Sequence, residues 1–402
     1  MRELPTQLTD VLDDLRSQEW VQKLAKNAEV YVVGGIVRDA FLGKESKDVD
    51  LIIDGLSIDG ILKILKPFGK ASLEGESFSV VKFRPKGWEG EDYDIAVPRV
   101  DRKVGKGHKG FEVVTDGVTV EDDLLRRDFT INSMAVNVMT GELLDPFNGL
   151  RDIKKGVMRA TDPNAFVEDP LRIVRGIQFA SRFGFDIEPE TMKLMQKNSH
   201  LIKEITGERI HDEFMKILKK EGDTQKAIDL LHKTGADEAL FDQKMLYYED
   251  AVGNLDDISF LFVLGLLGGV DPVDFYKNRL KGNVKMAKDI AALDNILLKW
   301  EQLDEENKRY LVMKTMDKTP DVAEAILIPD EMRDIVVKMR TMKIPMNSSD
   351  IPISGDEIQE IFNIPPSQKV GEILEEVRKA ALMNEFNWKS KEDTLDFVKS
   401  LK

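Results

Sequence analysis

Apolar and polar positions follow two regimes along the chain. Up to about residue 160, short β-branched runs are mixed with helical stretches. Beyond Asp162 the helical period takes over almost to the end. An amphipathic helix opens the chain and ends near Ala28. Val30-Tyr31-Val32-Val33 reads as a buried strand, Gly34-Gly35 breaks it, and Ile36–Leu42 resumes with helical character. Val49–Ile53 reads as a second strand and Ile58–Leu65 as a helix. Ser79–Phe83 and Tyr93–Val97 complete a small sheet, and Phe111–Val114 is a further strand. In the second half, Ile210, Phe214, Ile217 and Leu218 recur at the spacing of a helix facing a core. The Pro-bearing stretch Ile344–Pro352 reads as a linker before a last helical piece, where Ile373, Leu374 and Val377 form a stripe. The pattern predicts an α+β fold: an N-terminal helix over 1–28, a mixed domain over 29–160, and helical segments over 161–235, 236–345 and 346–402.

Composition narrows the function. At 402 residues, 42% hydrophobic and 33% charged, the chain has a real core and room for more than one domain. It has no cysteine, which excludes disulfides, thiolate zinc sites and cysteine nucleophiles. Met1–Leu15 carries acids and no apolar segment, unlike a signal peptide, and the apolar run Ile258–Val270 is too short for a bilayer. A cytoplasmic enzyme is expected, with no membrane and no obligate protein partner. A formal charge of −15 argues against nucleic acid only for the molecule as a whole, because a polyanion responds to local patches. One such patch is Arg99–Lys109, where Arg99, Arg102, Lys103, Lys106, His108 and Lys109 face a single acid, Asp101.

Three constellations carry chemistry. Gly34-Gly35 between a strand and a helix lets backbone approach a ligand, and Arg38 one turn on can reach a phosphate. Taken alone, the pair is equally a plain turn. Asp48-Val49-Asp50 places two carboxylates on one face of a buried strand, where they would repel unless a cation joined them. Oxygen ligands without His or Cys indicate Mg2+ on Asp48 and Asp50, with Asp94 as a third catalytic carboxylate. Pro170 marks a helix start. Asp169, Arg172, Arg175 and Gln178 recur every three residues as a polar ridge beside Leu171, Val174 and Ile177. The pattern alone favours Asp169 as a helix cap and the arginines as a solvated face.

Together these pieces resemble the nucleotidyltransferase superfamily typified by DNA polymerase beta, with its GG…DxD pattern. Arg126-Arg127-Asp128-Phe129-Thr130-Ile131-Asn132 is similar to the RRDxTxN motif of class II tRNA nucleotidyltransferases and bacterial poly(A) polymerases. Asp145-Pro146-Phe147-Asn148-Gly149, Glu168-Asp169-Pro170-Leu171-Arg172, and Glu208-Arg209-Ile210 with Glu213 resemble that family's next motifs in order. The resemblance runs from about Tyr31 to Leu218, more loosely over Gly355–Val398. It implies a polymerase-beta-like head (29–160), then a helical neck (161–235), body (236–345) and tRNA-binding tail (346–402). It further implies addition of CCA to tRNA from CTP and ATP. Asp169 and Arg172 would read the base, Arg127 and Asp128 would contact ribose and phosphate, and Gly34, Gly35, Arg38 and Arg175 would hold the nucleotide. Gln178 departs from the family, where many members carry arginine, and loses a charge.

The basic stretch with Gly105, Gly107 and Gly110 falls where the family has a flexible loop used in the switch from C to A addition. The GxGxxG these glycines spell has no strand-to-helix turn around it. The rival readings are a poly(A) polymerase, which lacks support because no arginine-rich insert follows Asp50, and an enzyme adding only CC or only A. An HD-type phosphohydrolase is disfavoured. His211-Asp212 lies inside a helix, and His108, His200 and His232 are too few and poorly spaced.

Overall fold

A computed structural model describes residues 4–46, 48–74, 80–103, 111–220, 222–246, 255–300, 303–304, 308–310, 312–313, 334–335, 345, 348–383 and 385–402. The opening apolar pattern folds as two helices, α1 (Thr6–Ser17) and α2 (Glu19–Ala25), because Gln18 between them is extended. Leu8, Leu12 and Leu15 form the buried stripe of α1, and Trp20 of α2 sits against the Phe83 and Tyr93 rings, each at 5.1 Å.

The mixed region builds one seven-stranded sheet. Its strands are β1 (Glu29–Val33), β2 (Asp50–Asp54), β3 (Gly69–Glu74), β4 (Val80–Pro85) and β5 (Tyr93–Ala96), then β8 (Ala135–Asn137) and β9 (Leu143–Leu144). They lie in the order β3-β4-β5-β2-β1-β8-β9. Between them in sequence, β6 (Val100–Lys103) and β7 (Phe111–Val114) pair as a separate antiparallel hairpin. The β2–β5 pair is parallel and the other neighbours in the sheet are antiparallel. Parallel pairing demands a crossover, supplied by α4 (Ile58–Leu65) with β3 and β4, after α3 (Gly35–Phe41) has linked β1 to β2. Val32, Val33, Leu51, Ile52, Ile53 and Ile95 are all buried, which places the sheet's core at its centre.

Beyond the hairpin come α5 (Val120–Leu125), α6 (Gly149–Lys155), α7 (Ala165–Glu168) and α8 (Leu171–Phe183). The chain divides into two compact units, Met1–Ile205 with Lys233–Ala239, and Thr206–His232 with Leu240–Lys402, so the neck expected over 161–235 is shared between them. In the second unit, the helix Gly207–Lys219 buries Ile210, Phe214 and Ile217, and His211 packs edge-on against Tyr276. Asp257–Leu267 is buried almost all round, with Asp256 capping its first turn. Among the described residues no single helix is long and apolar enough to cross a membrane. The last three helices, Gly355–Phe362, Gln368–Leu382 and Lys391–Ser400, share a core of Ile358, Val370, Ile373, Val377 and Val398. Of the linker expected over Ile344–Pro352, Ile344, Met346 and Asn347 lie outside the described residues, as do Gly105, Lys106, Gly107, His108, Lys109 and Gly110.

Candidate active site

The end of β1 and the start of β2 face each other, and the site grows from that junction. Val33 pairs with Asp50, and Gly34 then turns the chain away with φ +74° and ψ −126°, a conformation that disfavours any side chain. Because β1 ends there, Asp48 has no strand to pair with. It lies before β2 and exposed, so Asp48 does not share a buried strand with Asp50 as the sequence suggested, and β2 begins at Asp50 and not at Val49. Asp50 opens β2 and is in register with Asp94 on parallel β5. Burial pushes the Asp50 carboxyl above its ordinary range, Arg127 opposes the shift, and the Asp94 and Asp48 carboxylates add to it. Asp50 therefore feels both of the other acids. Among the described residues, however, no group of three or more acids or histidines is arranged to hold an ion unaided. Magnesium takes one or two carboxylates and fills its shell with water and substrate phosphate, so an acid pair suits it.

Arg127 lies across the turn. A Cβ on Gly34 would stand 2.7 Å from Arg127 Nη1 and 3.8 Å from Asp50 Oδ2, so guanidinium, glycine and carboxylate meet at one point. Arg38 behaves differently from the expectation of a phosphate ligand. It is buried, donates from Nε to Asp39 and from Nη1 to Asn132 Oδ1 at 2.5 Å, and stacks over Phe179 and Phe183 at 5.1 and 5.0 Å. Its fork is engaged inside the protein, where it fixes Asn132.

The Arg126–Asn132 segment is the brace of the site. Asp128 accepts from Asn132 Nδ2 at 2.8 Å and from Arg175 Nε at 2.7 Å. Burial alone would raise the Asp128 carboxyl, but Arg175, Asn132 and Arg172 together hold it below the usual range. Thr130 Oγ1 donates to the buried Asp152 at 2.8 Å, tying the segment to α6. The Asp145–Gly149 motif explains itself in the same place. Asp145 accepts from the Gly149 and Leu150 amides at the start of α6, and a Cβ on Gly149 would lie 2.2 Å from the Thr130 carbonyl oxygen. Only glycine lets the two motifs touch.

Helix α8 starts after Pro170, with the Asp169 carboxylate accepting from the Leu171 amide at 3.2 Å. Arg172 Nη2 donates to the Arg126 carbonyl at 2.6 Å and Arg175 reaches Asp128, so both arginines dock on the brace. Gln178 does not share their face. It is 1% exposed, and its Nε2 has no hydrogen-bond partner among the described residues. The expected ridge fails because three residues advance a helix by about 300°, a drift of about 60° per step that carries Gln178 to the side opposite Asp169.

Sequence reasoning missed Asp123, Asn132 and Asp39. Asp123 could have been found: it stands three and four residues before Arg126 and Arg127, the spacing of helical ion pairs.

Residues 30–159 match the poly(A) polymerase head domain, and residues 184–245 match the probable RNA and SrmB-binding site of polymerase A. The chain is 40% identical over 221 residues to the Multifunctional CCA protein of Xanthomonas campestris pv. campestris, covering 53% of this chain and 50% of that protein. It is 42% identical over 174 residues to the Multifunctional CCA protein of Nitrosomonas europaea, covering 43% and 39%. It thus spans about half or less of the curated relatives it matches. A solved CCA-adding enzyme in complex with ATP superposes with a TM-score of 0.65 at 25% identity, covering 98% of this chain and 93% of that one. A polymerase-type head with a braced RRDFTIN segment and this set of relatives leads to one conclusion: residues 30–159 form a head domain of the poly(A) polymerase type, and the chain is similar to CCA-adding proteins.

Proposed function

We propose that the protein is a template-independent nucleotidyltransferase that completes tRNA by adding C, C and A to its 3′ end from CTP and ATP, with release of pyrophosphate. The observation that carries the reading is the meeting of Asp50, Gly34 and Arg127 beside Asp94, with Arg172 and Arg175 docked on the same braced segment.

The tRNA 3′-hydroxyl attacks the α-phosphate of the bound nucleotide. Asp48, Asp50 and Asp94 present only carboxylate oxygens, a donor set that fits Mg2+. When bound, the metal activates the attacking hydroxyl and neutralises charge on the departing pyrophosphate. Gly34 and Gly35 keep the floor of the site free of side chains, and Arg127 brings positive charge to it. Asp128, ionised by its partners, and the docked Arg175 hold the nucleotide in place. Asp169 and Arg172 read the base edge, an acceptor beside several donors. Arg172 suits this role because its anchor on the Arg126 carbonyl leaves little freedom.

RNA would lie along the helical second unit. There Lys277, Arg279, Lys281, Lys285 and Lys288 follow one another with no acid between, and four of the five are exposed, a local excess that the net charge of −15 conceals. A cytoplasmic location accompanies this reading.

The test uses purified protein, Mg2+ and a tRNA lacking its terminal CCA, with CTP and ATP supplied singly and together. Three added nucleotides with both substrates support the proposal. A long A tail replaces it with the poly(A) reading, and arrest after CC, or addition of A alone to a CC end, replaces it with a partial adding enzyme.

A further inference from the structure

We infer that Asp123 is the positioning residue that links the nucleotide-reading arginines to the basic hairpin. The inference rests on the nucleotidyltransferase reading and deepens it. Asp123 sits in the first turn of α5, a helix fixed at its start by the reciprocal Thr119–Asp122 capping box. Its side chain is 1% exposed, and its two oxygens accept from two arginines of the site and from the root of the hairpin. Oδ2 accepts from Arg127 Nε and Nη2 at 3.3 and 3.1 Å, which leaves Nη1 to lie over Gly34. Oδ1 accepts from Arg126 Nε and Nη2 at 3.0 and 2.7 Å. Oδ1 also accepts from the Arg99 backbone amide at 3.4 Å, immediately before β6.

One carboxylate therefore serves three clients. Through Arg127 it sets the cation beside Asp50. Through Arg126 it sets the carbonyl on which Arg172 rests. Through the Arg99 amide it holds the root of the β6–β7 hairpin. Two arginines, each donating two N–H groups to one oxygen of a buried acid, make a rigid joint. A movement of the hairpin root pulls on the oxygen that orients the base-reading helix. Asp123 touches no reacting atom and acts only through these groups.

The test compares the full-length wild type with Asp123→Asn and Asp123→Glu. CTP and ATP binding is measured directly by calorimetry without RNA, and incorporation kinetics are measured on tRNA ending in C and in CC. Asn keeps the shape but loses the charge both forks require, and kcat/KM for both nucleotides is expected to fall about 10²-fold, the loss a displacement near 1 Å can cause. The CTP-to-ATP preference is expected to shift with it. Glu retains the charge, moves the joint outward by one methylene, and should give a smaller fall in kcat/KM. Wild-type nucleotide affinity and preference in a folded Asp123→Asn overturn the inference. If that variant fails to fold, wild-type behaviour of Asp123→Glu overturns it equally. Failure of the wild type itself to bind CTP or ATP would instead sink the proposed function.

Discussion

Replacement of Gly34 by alanine tests how tightly the turn, the guanidinium and the carboxylate are fitted together. The backbone there, φ +74° and ψ −126°, disfavours an L side chain, and holding one in it costs about 1–3 kcal/mol. For a unit of this size that corresponds to a fall in Tm of about 2–12 °C. A second effect is local. The new Cβ would stand 2.7 Å from Arg127 Nη1, which must retreat to at least 3.4 Å for ordinary contact. Arg127 is the far end of a flexible side chain, but Asp123 grips it through Nε and Nη2. The retreat therefore loosens that clamp or drags the segment with it, and a displacement approaching 1 Å lowers kcat/KM by about 10²-fold. Scanning calorimetry with steady-state incorporation of CMP separates the two effects. Gly35→Ala provides the comparison for folding: its Cβ would meet only Arg38 Nη2 at 3.6 Å, so its stability should stay within about 0.5 kcal/mol of wild type. Wild-type Tm and kcat/KM for Gly34→Ala would refute the geometry.

Asp50→Asn should abolish incorporation while leaving Tm at neutral pH equal or higher without metal. The Asp50 carboxyl is pushed up by burial, so its contribution is lost as pH rises through the raised value, and neutral Asn escapes that penalty. Substantial residual turnover would contradict the assignment. Asp128→Asn removes a depressed carboxylate whose contribution is present above about pH 4 and disappears as pH falls through its lower folded value. A loss of about 2 kcal/mol at pH 7 is expected, below the full range for a buried pair because Arg175 is about a third exposed. Acid titrations of wild type and variant should converge at low pH, and parallel curves would contradict the assignment. Gln178→Arg restores the residue common in the family, but at a position only 1% exposed it should destabilise by about 3 kcal/mol or more. An unchanged melting curve would mean that the position opens toward solvent or phosphate.

The centre of the sheet was legible because Val30–Val33 and Leu51–Ile53 are apolar runs, the second buried throughout, while Tyr93–Val97 alternates, with Tyr93, Ile95 and Val97 buried. Gly69–Glu74 was not: it is an edge strand of Gly, Lys, Ala, Ser, Leu and Glu, with Leu73 about half exposed, and only pairing with β4 makes it a strand. Ala135–Asn137 is too short to show a period, and its partner β1 lies about a hundred residues earlier. In the site, the acids and arginines were legible as motifs, but their division of labour was not. Nothing in the spacing of Arg38 shows that Phe179 and Phe183 will roof it and that Asn132 will take its fork. Those contacts join residues more than ninety positions apart.

The pairing of Asp50 with Asp94 sets a strict tolerance on the gene. Side chains on a strand alternate between faces, so one codon inserted or deleted inside β2 or β5 would send one acid to the far side of the sheet while every amino acid of the motif survived. Length changes between α4 and β5, at the turns joining β3, β4 and β5, leave that match untouched. Drift in chain length should therefore accumulate in those turns and be purged from the two strands, and an enzyme caught midway through folding would have no partial activity to offer.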